Sequence, residues 1–205
     1  MKKDKILFTV KDICEIAMLC AIAIVLSVFC EIKVGANGGS IGFGMIPLFL
    51  ICYRHGFIKG FIATGIIYAL ICCAIDGYGF ACFPFDYLLA YGSLSVVSFF
   101  YKPIFESESK WKPYVFIALS ILLACFLRFV FHVISGMILW STPFVGSITY
   151  NIAYVGPSCA ICIVVFCALY IPFKRINNMF PTKRYSFFPV KKKEAEQDNS
   201  TSELI

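Results

Sequence analysis

The chain has 205 residues, of which 60% are hydrophobic and 15% charged, and its formal net charge is +6. A soluble domain of this length cannot bury so much apolar surface in one core, so the composition predicts that lipid covers much of the chain. The basic residues lie in short loops and tails rather than along one helical face, which argues against nucleic acid as a partner.

Six apolar segments are long enough to suggest membrane helices, since each crossing needs roughly 20 apolar residues. The sequence therefore predicts an all-α integral membrane bundle of six helices. Hydropathy places the segments near residues 12–34, 41–55, 57–75, 80–101, 113–140 and 146–173. The predicted regions are a cytoplasmic N-terminal segment at 1–11, the six-helix transmembrane domain at 12–176, and a polar, disordered cytoplasmic tail at 177–205.

The first segment follows several lysines but lacks a clear small-residue cleavage site, so it is interpreted as a retained helix rather than a signal peptide. It carries Ala17 and Ala21, four residues apart. Small residues at this spacing form a flat strip that another helix can approach closely. Packing inside the bundle explains the strip equally well.

The second segment is shorter than the others, which predicts a tilted or partly re-entrant helix. The Gly-rich stretch at 35–40 precedes it and predicts an irregular loop that dips toward a cavity.

The distribution of Lys and Arg predicts the orientation in the plasma membrane. With six passes, all but two of the 18 Lys and Arg residues fall on one side, the exceptions being Lys33 and Arg128. Because cytoplasmic loops are enriched in Lys and Arg, both termini are predicted to be cytoplasmic.

Few polar side chains lie inside the predicted spans, and each needs a partner, a cavity or a function, because ionisable groups are costly in hydrocarbon. They are Asp86 in the fourth segment, Arg128 and His132 in the fifth, and Asn151 in the sixth. Counted along their helices, Asp86, His132 and Asn151 lie at similar depths below the predicted outer surface. Arg128 lies one turn deeper than His132 on the same helix face.

Tyrosine and tryptophan side chains cluster at this depth: Tyr78, Tyr87, Tyr91, Trp140, Tyr150 and Tyr154. A carboxylate ringed by aromatic faces suits a flat organic cation, with Arg128 at the floor of the pocket. Two structural explanations remain open: Asp86 and Arg128 could form an ion pair, and the aromatics could be the usual interfacial belt.

No nucleotide-binding, zinc-protease or serine-hydrolase motif is present, and most of the 11 cysteines lie in apolar segments. The sequence therefore predicts neither an enzyme nor a metal site nor a cofactor. Energy for any transport must come from partner proteins or an ion gradient.

Several motifs together resemble the thiamine-specific substrate-binding subunit (S component) of energy-coupling factor (ECF) transporters. They are the Ala17–Ala21 strip, GGSIGFGMIPLFLICYRHGFIKG at 38–60, FDYLLAY at 85–91, RFVFHVISGMILW at 128–140 and YNIAYVGP at 150–157. The resemblance implies a six-helix S component that captures thiamine from outside. It also implies docking, through the first helix, on a membrane coupling subunit that carries two ATPases.

The resemblance also implies roles for individual residues. Asp86 corresponds to the family's acidic residue and Tyr87 to the Tyr beside it. His132, Trp140 and Asn151 correspond to ligand contacts, while Ala17 and Ala21 correspond to the docking strip. The predicted ligand-binding set, completed by neighbouring side chains, is Asp86, Tyr87, His132, Trp140, Asn151, Tyr78, Tyr150 and Arg128.

The chain departs from the family pattern in the shortened segment before Asn151, in Leu88 after Tyr87, and in a first outer loop without Trp. These departures leave other ligands open, including another vitamin or a thiamine precursor such as a hydroxymethylpyrimidine. Two other classes also remain: a stand-alone secondary transporter, and a membrane enzyme with Asp86 and His132 as acid and base.

Overall fold

The computed structural model describes residues 8–34, 39–182 and 184. Seven helices account for most of them: α1 Val10–Phe29, α2 Met45–His55, α3 Phe57–Asp76, α4 Phe80–Phe105, α5 Lys112–Ile138, α6 Phe144–Ala168 and α7 Tyr170–Met179. Two strands, β1 Glu31–Val34 and β2 Gly39–Gly42, lie between α1 and α2. Residues 1–7, residues 35–38 and most of the predicted tail lie outside the described residues, and the loop predicted from the Gly-rich stretch falls largely on them. Within the tail predicted from 177, helix α7 continues to Met179.

The predicted count of six membrane-crossing helices is not confirmed. Within the described ranges, five helices, α1 and α3 to α6, are long and apolar enough to cross a membrane. Helix α2 has 11 residues, which gives a length of about 16 Å against a hydrocarbon core of about 30 Å. Its side chains are almost all buried, so α2 is enclosed by the other helices and need not match the membrane thickness.

A short β-hairpin between α1 and α2 was not predicted, although the described chain is otherwise helical as expected. Helix α1 ends at Phe29, and the last residues of the predicted first segment form β1, which pairs antiparallel with β2 so that Ile32 lies opposite Ile41. The sequence Glu31-Ile32-Lys33-Val34 alternates polar and β-branched residues, as strands do. Four residues are too few to stand out against the adjoining apolar helix.

Local sequence signals fix several helix ends. Thr9 and Asp12 form a capping box at the start of α1, each side chain bonding the other residue's backbone N–H. Helix α3 ends at Asp76 and is capped by Gly77, whose φ of 70° is in the left-handed region that glycine tolerates best. Helices α3 and α4 meet closely, because Gly65 lies against the backbone of Gly92.

The interior is packed with apolar and aromatic side chains. Phe49 and Tyr53 of α2 contact Phe166 of α6, and Tyr53 also contacts Phe105 of α4. Eight of the 11 cysteines are buried and all are free thiols, so they pack as small apolar residues.

A cluster of buried charges joins α1, α2 and α3 at one end of the bundle. The Lys59 ammonium donates to the Asp12 carboxylate at 2.7 Å, and the Arg54 guanidinium pairs with Glu15. His55 lies between them, with its ring nitrogens 3.4 Å from Asp12 and 3.6 Å from Glu15. Arg54 also bonds groups around the end of α7: the side chain of Asn177 and the carbonyl of Phe180.

Candidate functional site

The opposite end of the bundle holds a cavity of about 540 Å³. The hairpin covers it, and its walls are the C-terminal halves of α1, α3 and α5 and the N-terminal halves of α2, α4 and α6. Its volume lies within the range of small-molecule pockets. All eight residues predicted to bind a ligand line it: Tyr78, Asp86, Tyr87, Arg128, His132, Trp140, Tyr150 and Asn151.

Asp86 is held by two side chains of α5. Its Oδ1 lies 2.9 Å from Nδ1 of His132, and its Oδ2 accepts a bond of 2.5 Å from the Ser135 hydroxyl. The Nε–H of Arg128 donates to Nε2 of His132 at 3.1 Å. Because Nε2 accepts this bond, the hydrogen of the neutral imidazole lies on Nδ1 and is donated to Asp86. The carboxylate therefore has a fixed orientation and keeps further acceptor sites.

The structure does not contain the direct ion pair between Asp86 and Arg128 that the sequence left open. The two charges are joined through the imidazole of His132, with no direct contact within 4 Å. Arg128 instead donates to the Tyr91 hydroxyl at 3.3 Å, and its guanidinium carbon lies 4.5 Å from the centre of that ring. The arginine is 8% exposed, so it forms part of the cavity floor.

Aromatic rings form much of the cavity wall. Tyr78 and Trp140 meet edge to face with ring centres 5.7 Å apart, and Tyr150 and Tyr154 do so at 5.6 Å. Tyr87 lies beside Asp86 on α4, with its ring centre 6.4 Å from that of Tyr91. These rings offer both π faces and phenolic hydroxyls to a bound molecule.

Asn151 is buried and already has protein partners. Its amide nitrogen donates to the carbonyl of Ser147 at 2.8 Å, and its oxygen accepts a bond of 2.5 Å from the Tyr154 hydroxyl. The amide thus orients Tyr154 toward the cavity, and one lone pair of the oxygen remains.

The hairpin approaches α6 closely. The backbone N–H of Gly39 donates to the Tyr150 hydroxyl at 2.8 Å. A Cβ atom at this position would lie 2.6 Å from the Tyr154 ring, so only glycine fits without displacement. The contact seats β2 over the cavity.

Three charged residues of the cavity and one residue that binds Asp86 were missed from the sequence. Glu31, Lys33 and Asp76 line the cavity, and Ser135 binds Asp86. Glu31 and Lys33 fell inside a predicted helix, and Asp76 ended a span beside Gly77, where an acidic residue is expected in any case. Ser135 carried a usable signal, because it lies three residues after His132 and so on the same helix face.

The predicted docking residues Ala17 and Ala21 are exposed on α1. The face of α1 that packs inside the bundle carries Asp12, Ile16, Cys20 and Ala23 instead. The alternative that the strip serves internal packing is therefore not supported.

The described part of the chain contains no group of three His, Cys, Asp or Glu side chains placed to hold a metal ion. The site's chemistry is that of hydrogen bonding, charge and aromatic contact.

Comparisons with known proteins agree with one another. Residues 13–178 match the family described as Thiamine transporter protein (Thia_YuaJ). The thiamine transporter ThiT of Bacillus subtilis (strain 168) is 32% identical over 177 residues, an alignment that spans 79% of this chain and 91% of the relative.

Solved structures share the fold. ThiT from Listeria monocytogenes superposes with a TM-score of 0.61 at 23% identity, covering 83% of this chain and 95% of that one. The S-component for biotin from an ECF-type ABC transporter gives 0.61 at 18% identity, covering 82% and 92%. FolT bound with folic acid gives 0.56 at 19% identity, covering 87% and 99%.

Proposed function

Since this chain belongs to the thiamine transporter protein family, we propose that it is the substrate-binding S component of an energy-coupling factor transporter and that it captures thiamine from outside the cell. The chain is a multi-pass membrane protein. Its family is one of transporters, which confirms the expectation that it is not an enzyme.

The observation that carries the ligand proposal is the fixed carboxylate in an aromatic cavity. Asp86 is oriented by His132 and Ser135 and keeps acceptor sites for a ligand's N–H groups. Thiamine offers an aminopyrimidine, which donates hydrogen bonds, and a cationic thiazolium ring. The Asp86 carboxylate can accept hydrogen bonds from the aminopyrimidine. The rings of Tyr87 and Trp140 suit a flat, electron-poor ring such as the thiazolium.

The charge of the cavity favours a cation over an uncharged precursor. Among the described lining residues, three carboxylates face two cations, and neutral His132 adds none: Glu31, Asp76 and Asp86 against Lys33 and Arg128. One net negative charge remains, and a monocation neutralises it. A hydroxymethylpyrimidine lacks this charge and would leave the imbalance in place.

Transport requires a partner in this proposal. Ala17 and Ala21 are exposed on α1 and leave a flat surface for a helix of the membrane coupling subunit, which carries two ATPases. The cavity then opens outward, and the charged cluster and both termini lie on the cytoplasmic side of the plasma membrane, where most of the Lys and Arg residues are expected.

A thiamine titration of the purified chain in detergent or nanodiscs tests the binding proposal. We expect saturable binding that is weakened in Asp86→Ala. Absence of thiamine binding by the wild type would refute the binding proposal.

Reconstitution in liposomes tests the transport proposal. Uptake only with the coupling subunit and ATPases supports it, whereas uptake driven by an ion gradient with this chain alone would identify a secondary transporter.

A further inference from the structure

A second carboxylate, Asp76, lines the cavity without the link to a guanidinium that Asp86 has through His132. It is the last residue of α3, and it is exposed. Its Oδ2 accepts a hydrogen bond of 2.8 Å from the phenol of Tyr87, the residue next to Asp86. The bond fixes the Asp76 carboxylate beside the aromatic wall and leaves its other oxygen available.

The two acids differ in their surroundings. Asp86 is bonded to His132, which is bonded in turn to the Arg128 guanidinium, so one neutral imidazole separates Asp86 from a buried cation. No Lys, Arg or His nitrogen of the described residues lies within 4 Å of the Asp76 carboxylate. The field of Lys33, on the hairpin, reaches Asp76.

The ammonium of Lys33 does not neutralise all of the negative charge on this side of the cavity. Glu31 precedes Lys33 by two residues on β1 and so lies on the same face of the strand, and both line the cavity. This side of the cavity thus carries one ammonium and two carboxylates, those of Glu31 and Asp76. Of these two, only Asp76 is oriented by a phenol of the aromatic wall.

We infer that Asp76 is the specificity-determining residue that selects the cationic ring of the ligand, while Asp86 with His132 reads the hydrogen-bonding ring. This assignment rests on the proposed function and divides its recognition between two carboxylates. An acid linked to a buried guanidinium suits an uncharged N–H donor, because its orientation is fixed and the nearby cation weakens its field. An acid without such a link attracts positive charge more strongly. Tyr87 joins the two subsites, because its backbone follows Asp86 and its hydroxyl holds Asp76.

The test compares thiamine with an uncharged isostere in which a thiophene replaces the thiazolium. Binding of both is measured by calorimetry on the purified full-length chain, as the wild type and as Asp76→Asn, Asp76→Glu and Asp86→Asn. In Asp76→Asn we expect the preference for thiamine over the isostere to fall about tenfold or more while the affinity for the isostere stays within about threefold. Asp76→Glu keeps the charge and should retain the preference.

Two further measurements distinguish selection of the cationic ring by Asp76 from a merely structural role of this residue. Asp86→Asn should weaken both ligands alike, since both carry the aminopyrimidine. Added salt should reduce the preference of the wild type more than that of Asp76→Asn, because salt screens the charge of the exposed Asp76 carboxylate. Equal weakening of both ligands in Asp76→Asn, or an unchanged preference, overturns the assignment. Wild-type protein that binds neither ligand overturns the proposed function itself.

Discussion

Asp86 and His132 are 46 residues apart in the chain, yet Oδ1 of the one lies 2.9 Å from Nδ1 of the other. The imidazole occupies the space between a carboxylate and the Arg128 guanidinium and bonds both. A neutral ring with one donor and one acceptor is the side chain that can do this, so the pair depends on the tautomer that the arginine selects.

Replacing His132 should weaken ligand binding without unfolding the bundle. His132→Phe keeps a ring but removes both bonds, so Asp86 and Arg128 each lose a partner. Hydrogen bonds to charged groups contribute about 1.5–3 kcal/mol, and we expect the Kd for thiamine to rise roughly 10- to 100-fold. His132→Asn provides the control, because its amide can restore the donor to Asp86 and should give a smaller loss. Equal affinity of the wild type and His132→Phe in calorimetry would contradict the role of this pair.

Tryptophan fluorescence should report the occupied cavity from one residue. The chain has two tryptophans. Trp140 lines the cavity, whereas Trp111 lies before α5 at the other end and is 80% exposed. We expect thiamine to reduce the fluorescence intensity of the wild type and of Trp111→Phe by similar amounts. The fluorescence of Trp140→Phe should stay nearly unchanged. Quenching that follows Trp111 would place the ligand elsewhere.

The sequence predicted the cavity lining better than the helix count, for a physical reason. Asp86, Arg128, His132 and Asn151 stand out because ionisable and amide groups are expensive in a span, and helical rise places them at a common depth. Helix α2 could not be judged in this way. Hydropathy indicates that a segment avoids water but does not distinguish lipid from protein as its surroundings. A short helix enclosed by protein therefore has the same hydropathy as the tilted or partly re-entrant membrane helix that the sequence predicts.

The residues that the sequence did not reveal belong to the site only because of tertiary packing. Asp76 lies at a helix end, where a carboxylate is unremarkable by sequence, and its importance comes from a bond to Tyr87 that only the packing of α3 on α4 creates. Glu31 and Lys33 face the cavity because β1 folds over the bundle. Such a hairpin depends on tertiary contacts, and four residues of alternation carry too little pattern to predict it.

Seating of the hairpin should depend on Gly39. In Gly39→Val the new side chain meets the rings of Tyr150 and Tyr154, so β2 must move away from α6. We expect weaker thiamine binding, through faster dissociation from a less covered cavity, in stopped-flow fluorescence. Gly146→Ala is the control, because a Cβ there makes only an ordinary contact with Thr142. Identical dissociation rates for Gly39→Val and the wild type would show that the cap does not retain the ligand.

The buried charges at the other end should matter for stability rather than for binding. Lys59→Met leaves the Asp12 carboxylate without its 2.7 Å partner in a site where both are almost fully buried. Removing one member of a buried pair costs about 3–5 kcal/mol, so the apparent Tm in detergent should fall by several degrees. Lys110→Met, at an exposed position, should leave the Tm nearly unchanged. Removing both charges in Asp12→Asn with Lys59→Met should restore part of the loss, and the pair would lack this role if the double variant melted below the single one.

Bulk on the exposed strip of α1 should separate binding from transport. Ala17→Trp and Ala21→Trp place a large side chain where the proposed coupling subunit approaches, but neither position packs inside the chain. We therefore expect thiamine affinity within about twofold of the wild type and uptake into liposomes reduced more than tenfold, since close helix contact requires small residues. Ala160→Trp supplies the matched control, because Ala160 is exposed on α6, away from the strip. Loss of both binding and uptake in Ala17→Trp would indicate a damaged fold. Full uptake in both α1 variants would show that the docking surface lies on another part of the bundle.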